Sequence, residues 1–319
     1  MPIWLDIVIR CVAVIGFYFV MALYIGYVEH KVLAHMQGRL GPMYAGGFHG
    51  WAQLLADAVK FLQKEDSTPR SADARVYRLA PAVAVIPYIV ALTAIPLTPT
   101  IVAVKLDAGL VFVLASMGVG VFGLLMAGWA SGSKYSYLGA MRASAQLVAY
   151  ELPMVLSAAS VALAAGTLSL PGIMEAWRPW WLIWQLPGAI CFFIAALAEL
   201  QRSPFDLPIA DSEIVMGPYT EYTGLRFAFF MLGEYAGMVV MGLLFSNLFL
   251  GGSAGPFSDQ LGWLWNLIKV TIFGAILSWL RAAWPRLRSD VLQRIAWVWL
   301  VPIALLQLAL TAVVVVVNQ

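Results

Sequence analysis

The chain has 319 residues, of which 62% are hydrophobic and only 11% charged, with mean hydropathy +0.84. Soluble domains carry about a quarter charged residues, so a soluble globular fold is excluded. A net charge of +2 leaves no basic stripe for nucleic acid, and two cysteines inside apolar runs, Cys11 and Cys191, allow neither a disulfide framework nor a metal quartet.

The first apolar run has Asp6 and Arg10 near its start and continues too long for the core of a cleavable signal, so it reads as a retained span. A span takes about 20 mainly apolar residues. Such runs recur at 3–28, 79–100, 108–130, 145–167, 181–199, 225–250, 261–281 and 295–317. They are continuously apolar and lack period-two alternation, which predicts helices rather than barrel strands. The expectation is an all-α integral membrane protein, one membrane domain over 1–319 with eight transmembrane helices. Lysine and arginine positions orient it. Loops after spans one, three, five and seven hold fifteen basic residues, and the opposite loops hold only Lys105 and Arg178. Both termini are therefore expected outside the cell membrane.

The segment 29–78 is read as a long cytoplasmic loop. Trp51, Leu54, Leu55, Ala58, Val59 and Leu62 recur at helical spacing, with Gln53, Asp57, Lys60 and Lys64 opposite, which predicts an amphipathic helix at the interface with membrane lipid. Before it, Gln37-Gly38-Arg39-Leu40-Gly41-Pro42 reads as a turn with a fixed arginine. The histidines His30, His35 and His49 fall in this loop and none in a span, against a haem held between helices. Gly118, Gly120 and Gly123 match a dinucleotide-binding string. They lie within an apolar run with no preceding strand, and small residues there predict close helix approach instead.

Ser131–Ser144 is read as the next cytoplasmic loop. It leads into Gln146, Tyr150, Glu151 and Pro153, with Glu151 about 9 Å into the fourth span, counted from Ala145 at helical rise. Glu199 and Arg202 are three apart and share a face if the helix persists, so a local ion pair is the plain expectation. The segment 200–224 is a cytoplasmic acidic loop. It holds Asp206, Asp211, Glu213 and Glu221 among three prolines and the apolar Phe205, Leu207 and Ile209. Glu234 and Lys269 fall near mid-membrane. Each fits a helix-joining ion pair, although acids at this depth more often mark a proton or ion pathway. Without further comparison, the residues describe a proton-handling membrane subunit that docks a partner, with Glu151, Glu199, Glu213 and Glu234 as exchangeable carboxyls.

Four segments carry a resemblance covering nearly the whole chain. They are the 37–42 turn, the Lys134, Tyr135, Gly139, Arg142, Gln146, Tyr150, Glu151 pattern, and Ala198–Arg226 followed by Arg281, Pro285, Arg286, Arg288 and Asp290. The chain resembles the H-subunit family of NADH:quinone oxidoreductase (respiratory complex I), the quinone-junction membrane subunit. The resemblance implies a proton-pumping oxidoreductase in a bacterial inner membrane, of which this chain is a subunit and not a catalyst alone. The quinone chamber would include Gln37, Arg39, Gly41, Pro42, Asp57, Lys60, Arg202, Phe205 and Asp206, with Glu65 matching nearby. The proton path would include Glu151, Glu199, Asp211, Glu213, Glu221 and Glu234. Arg281, Arg286 and Arg288 would dock partners: iron–sulfur and quinone-site subunits of the hydrophilic arm, and small and antiporter-like membrane subunits. The substrate would be ubiquinone or menaquinone. No cofactor or metal is expected on this chain, and iron–sulfur clusters belong to partner subunits. Departures occur at Ile209 and Asp211, where the family has glutamates, at His30, and at Met43. They point to a divergent branch whose donor is NADH or another reduced carrier such as ferredoxin. Two other classes fit a helical bundle: a proton-coupled secondary transporter, for which no internal repeat is evident, and a membrane anchor of a hydrogenase-like complex.

Overall fold

A computed structural model describes residues 3–209 and 211–317, and for Ile3, Asp211 and Ser212 the backbone only. The described chain is a bundle of helices with no strand among these residues. In order they are α1 (Ile3–Met36), α2 (Gln53–Gln63), α3 (Ala74–Ala94), α4 (Gly109–Ala130), α5 (Lys134–Ala165), α6 (Leu170–Ala176) and α7 (Trp181–Trp184). There follow α8 (Leu186–Glu199), α9 (Asp211–Ile214), α10 (Gly224–Phe249), α11 (Ser258–Ala283), α12 (Ser289–Arg294), a π-helical segment (Ile295–Leu300) and α13 (Val301–Val317).

Seven of the described helical stretches are long and apolar enough to cross a membrane: Trp4–Met36, α3, α4, α5, α10, α11 and Ser289–Val317. The chain is thus an all-α, multi-pass membrane protein. The expected fifth span, 181–199, differs from the rest. The chain turns at Gln185, and α8 that follows has 14 residues, about 21 Å at helical rise against a hydrocarbon core of about 30 Å. Two expected loops are also shorter than the composition suggested. α1 continues to Met36, past the expected boundary at residue 28, and α5 begins at Lys134, inside the segment read as a loop. Serine and glycine obscure the helix there because they pack instead of facing solvent: Ser136 is buried, and a Cβ on Gly139 would stand 2.6 Å from the Gly217 Cα.

α10 is the most enclosed of the long helices and packs on α1, α3 and α11, while α5 packs on α4, α8 and α13. α3 and α4 lie against each other because Gly123 has no side chain: a Cβ there would meet the Ala84 backbone nitrogen at 2.4 Å. The expected role of the small residues in this run, close helix approach, is what the backbone shows.

The connections at one end of the bundle form a joined layer. Asp73 N–H donates to Ala130 O (3.0 Å), Arg226 donates to Thr68 (2.9 Å), and Leu287 N–H donates to Pro204 O (3.1 Å). At the other end lie the 95–108, 166–185 and 250–257 connections. There Asn247 donates to Pro96 O (2.9 Å), and Trp177 donates to Phe249 O (3.1 Å).

Candidate functional site

The site begins where α8 stops. Glu199 is the last helical residue, and Gln201 adopts a left-handed φ of 52°. That turn throws Arg202 off the helix face, so the expected pairing with Glu199 does not form. Arg202 instead enters the bundle. It donates from one terminal nitrogen to Glu29 Oε1 (2.5 Å), while its Nε lies 2.8 Å from Glu234 Oε1, an ion-pair contact off the hydrogen-bond axis. Its guanidinium also lies over the Tyr235 ring at 5.5 Å. Arg281 from α11 donates to the same Glu29 oxygen. Arg202 is 3% exposed and Glu29 1%. Burial alone would favour a neutral guanidine, but Glu234 and Glu29 more than reverse this and hold Arg202 above its ordinary range.

Gln146 of α5 fastens the turn. Its amide donates to Ala198 O (2.7 Å) and Phe205 O (2.8 Å). Phe205 is buried and packs edge-on against Tyr150 at 5.3 Å, and Tyr150 donates to Leu292 O (2.8 Å). Deeper in the bundle, Glu151 stands beside α4, its Oε1 2.8 Å from where a Cβ on Gly118 would be. Glu151 acts electrostatically on Glu199, and Tyr88 of α3 interacts with both Glu199 and Glu234. Glu199 is 6% exposed, and its Oε2 has no hydrogen-bond partner among the described residues; nor has Glu29 Oε2. Buried carboxylate oxygens left in this way are costly, and they call for water or a proton.

The 37–52 segment is tightly folded. Arg39 Nε donates to Gln37 (2.8 Å), Lys31 donates to Pro42 O (2.5 Å), and Trp51 donates to Gly46 O (2.8 Å). Gly50 has φ +66°, and a Cβ there would lie 2.6 Å from the Pro42 carbonyl, so only glycine fits. The expected amphipathic helix is α2, with Leu54 against Gly26 of α1 and Phe61 tilted on Phe227 of α10 at 5.8 Å. Its Leu55, Val59 and Leu62 are exposed, whereas Asp57 is half-buried and joined to Gln53 (3.1 Å) and Lys60 (3.6 Å).

The remaining sequence-predicted residues divide between surface and layer. Glu213 is exposed and paired with Arg142 (2.5 Å) and Arg286 (3.6 Å). The hydrogen bond from Arg142, then the charge of Arg286, hold its carboxyl below the usual range. Glu221 is half-buried, and its carbonyl accepts from Tyr77 (2.6 Å). Asp206 is half-buried, and the side chain of Asp211 lies outside the described residues. Arg288 is open to solvent at 86% and pairs with Asp290 (3.5 Å), while Arg286 also donates to Leu207 O (3.4 Å). Lys269 reaches the far end of the bundle and donates to Leu250 O (2.8 Å), Gly252 O (2.7 Å) and Ala254 O (2.9 Å). The structure thus joins Arg202 and Glu234, sets Glu199 and Glu151 near them, and leaves Arg39 and Glu213 at the surface. Sequence reasoning passed over Glu29, Tyr88 and Tyr219. The signal for Glu29 was an acid within a helix whose end was placed one residue too early to include it.

A family model described as NADH dehydrogenase matches residues 9–312. The H subunit of NADH-quinone oxidoreductase from Geobacillus sp. (strain WCH70) is 42% identical over 319 residues, covering 98% of this chain and 96% of that protein. The H subunits from Geobacillus kaustophilus (strain HTA426) and Bacillus mycoides (strain KBAB4) are each 44% identical, covering 90% of this chain and 87% of theirs. Likeness of this extent covers the helices that carry Glu29, Glu151, Glu199 and Glu234 as well as the loops between them, and the chain accordingly belongs to the NADH dehydrogenase family as an H-type membrane subunit of an NADH-quinone oxidoreductase complex.

Proposed function

We propose that the chain forms the membrane side of a quinone chamber and the first section of a proton path in a proton-pumping quinone oxidoreductase of a bacterial inner membrane. The observation that carries this reading is the series of buried or half-buried carboxylates Glu151, Glu199, Glu234 and Glu29, set between α1, α4, α5, α8 and α10 with a single arginine, Arg202, joining the last two. Glu199 Oε2 and Glu29 Oε2 have no hydrogen-bond partner among the described residues, which leaves each a place to take a proton. On this reading Gln37, Arg39, Gly41, Pro42, Asp57 and Lys60 line the mouth of the chamber on the cytoplasmic side, with Arg202, Phe205 and Asp206 behind it. Asp211, Glu213 and Glu221 belong to the same path at its cytoplasmic end. Arg288, the most exposed of the three docking arginines, faces the hydrophilic arm and its iron–sulfur subunits, and the apolar flanks meet the small and antiporter-like membrane subunits. The termini face outward.

Two experiments test this reading. Glu151→Gln and Glu234→Gln remove the titratable proton at nearly constant shape, so the assembled complex should reduce quinone with fewer protons translocated per electron. Unchanged translocation in both variants returns these acids to a structural role. Arg39→Ala should lower quinone reduction in fully assembled complex, and normal turnover there removes it from the chamber.

A further inference from the structure

α8 and the last helical stretch pack on each other, yet along one side they stand apart. Between them runs an open groove of about 410 Å³, walled by Leu186, Ile190 and Ile194 of α8 and by Ile295, Trp299 and Ile303 opposite. Leu186, Ile190, Trp299 and Ile303 are exposed, whereas Cys191 and Leu300 are buried and form the floor, with Cys191 Sγ 3.9 Å from Leu300 O. Each wall spans eight residues, about 12 Å at helical rise, within helices apolar enough for the hydrocarbon core. The glycine of α8 lies on another side of the helix, where packing is close: a Cβ on Gly188 would stand 3.3 Å from Gln307 and 3.5 Å from Ser160.

The walls select among occupants. Helices associate in a membrane through small residues and polar side chains, and among the described residues that line this groove there is no glycine, alanine, serine or threonine. A quinone ring carries two carbonyls that call for donors, and the surface of the groove is apolar throughout. A hydrocarbon chain asks for no donor and conforms to branched walls. Lipid is as apolar as the groove, so a chain gains little by entering, and the headgroup must decide which lipid stays. Arg294 stands one residue before Ile295, at the end of the wall nearest the joined layer. It is exposed and makes no hydrogen bond or ion pair with any described residue, while Asp290, one turn before it, is paired with Arg288 (3.5 Å). We propose that the groove holds an acyl chain of one anionic glycerophospholipid, whose phosphate pairs with Arg294. The site lies apart from the Arg202 cluster and does not depend on the proton-path reading. One basic residue at the membrane surface favours an anionic lipid about fivefold.

The test places the whole assembled complex in phosphatidylcholine vesicles with a small fraction of photoreactive lipid. That lipid is phosphatidylglycerol or phosphatidylcholine with a diazirine in one acyl chain, and mass spectrometry locates the adducts. Phosphatidylglycerol should label 186–194 and 295–303 together, about fivefold more than phosphatidylcholine at equal mole fraction. Arg294→Gln should bring it down to the phosphatidylcholine level in these two segments and leave adducts elsewhere on the chain unchanged. Ile190→Trp, which fills the groove, should lower labelling of 295–303 by both lipids. Equal labelling by the two lipids, adducts on one wall alone, or an Arg294→Gln variant that labels like the parent overturns the inference. Absence of adducts on both walls also overturns it and gives the groove to a neighbouring subunit. Arg294 is exposed and unpartnered among the described residues, so its replacement decides the matter even where Ile190→Trp does not assemble.

Discussion

The two ends of the bundle meet the same problem, a cation drawn into low dielectric, in opposite ways. At the end that bears the 200–223 connection, Arg202 is matched by carboxylates, Glu29 and Glu234, with Arg281 sharing Glu29. At the other, Lys269 is matched by carbonyl dipoles from Leu250, Gly252 and Ala254, just past the C-terminus of α10, where a helix favours a cation. The difference matters for function. Carboxylates can take up and release protons, whereas backbone carbonyls are fixed dipoles, so the groups that match Arg202 can change charge and those that match Lys269 cannot. The neighbouring Asn247 and Asn266 amides, bonded at 2.9 Å, are likewise neutral.

The sharpest way to break this comparison is Arg202→Met. It leaves Glu29 and Glu234 buried without their shared cation, and removing one partner of a buried pair costs about 3–5 kcal/mol. The midpoint of thermal inactivation of the solubilised complex should fall accordingly, by more than for any other single change in this cluster. Lys269→Met should have a smaller effect. It strips three carbonyls of their donor, at about 1–3 kcal/mol for each that water does not reach at this end of the bundle, and hydrogen exchange in 250–255 should rise while protons translocated per electron stay constant. A change in that ratio would give the cage a role in translocation. The smallest effect is expected at Glu213, which is exposed. Its folded-state pKa is depressed by Arg142 and Arg286, so its contribution is present above the ordinary carboxyl pKa and lost as pH falls through the lower folded value. Glu213→Gln should therefore leave stability at neutral pH nearly unchanged and should reduce its loss on acidification only slightly, read from inactivation midpoints across the acid range.

Hydropathy identified the apolar helices and their class because lipid requires long uninterrupted runs. It did not identify the boundaries that matter for the site. α1 carries Glu29 beyond its expected end because Lys31 and the residues after it stay helical while packing on the 37–52 turn. The Glu199 and Arg202 pair was misjudged because one left-handed residue, Gln201, ends the periodicity on which the expectation rested. Glu151 and Glu234 were legible as acids in apolar surroundings. Their neighbour Tyr88 was not, since a tyrosine in an apolar helix has the same pattern as any aromatic core residue until α10 brings Glu234 beside it.

The π-helical segment Ile295–Leu300 sits between two fixed points of the last helical stretch. On one side Leu292 O accepts from Tyr150, and on the other Gln307 donates to Gln185 Oε1 (3.1 Å) and Thr311 accepts from the Gln185 amide (3.3 Å). An i→i+5 bond encloses one residue more than an i→i+4 bond, so the segment accommodates an extra residue without turning the helix beyond it. Shortening the chain by one residue within 295–300 should let the stretch relax to ordinary helix with both fixed points kept. The same deletion at Ile303 or Ala304 would rotate everything downstream by about 100° and swing Gln307 and Thr311 out of their amide ladder towards lipid. Tolerance to changes in length is thus concentrated in a single turn of the final helix.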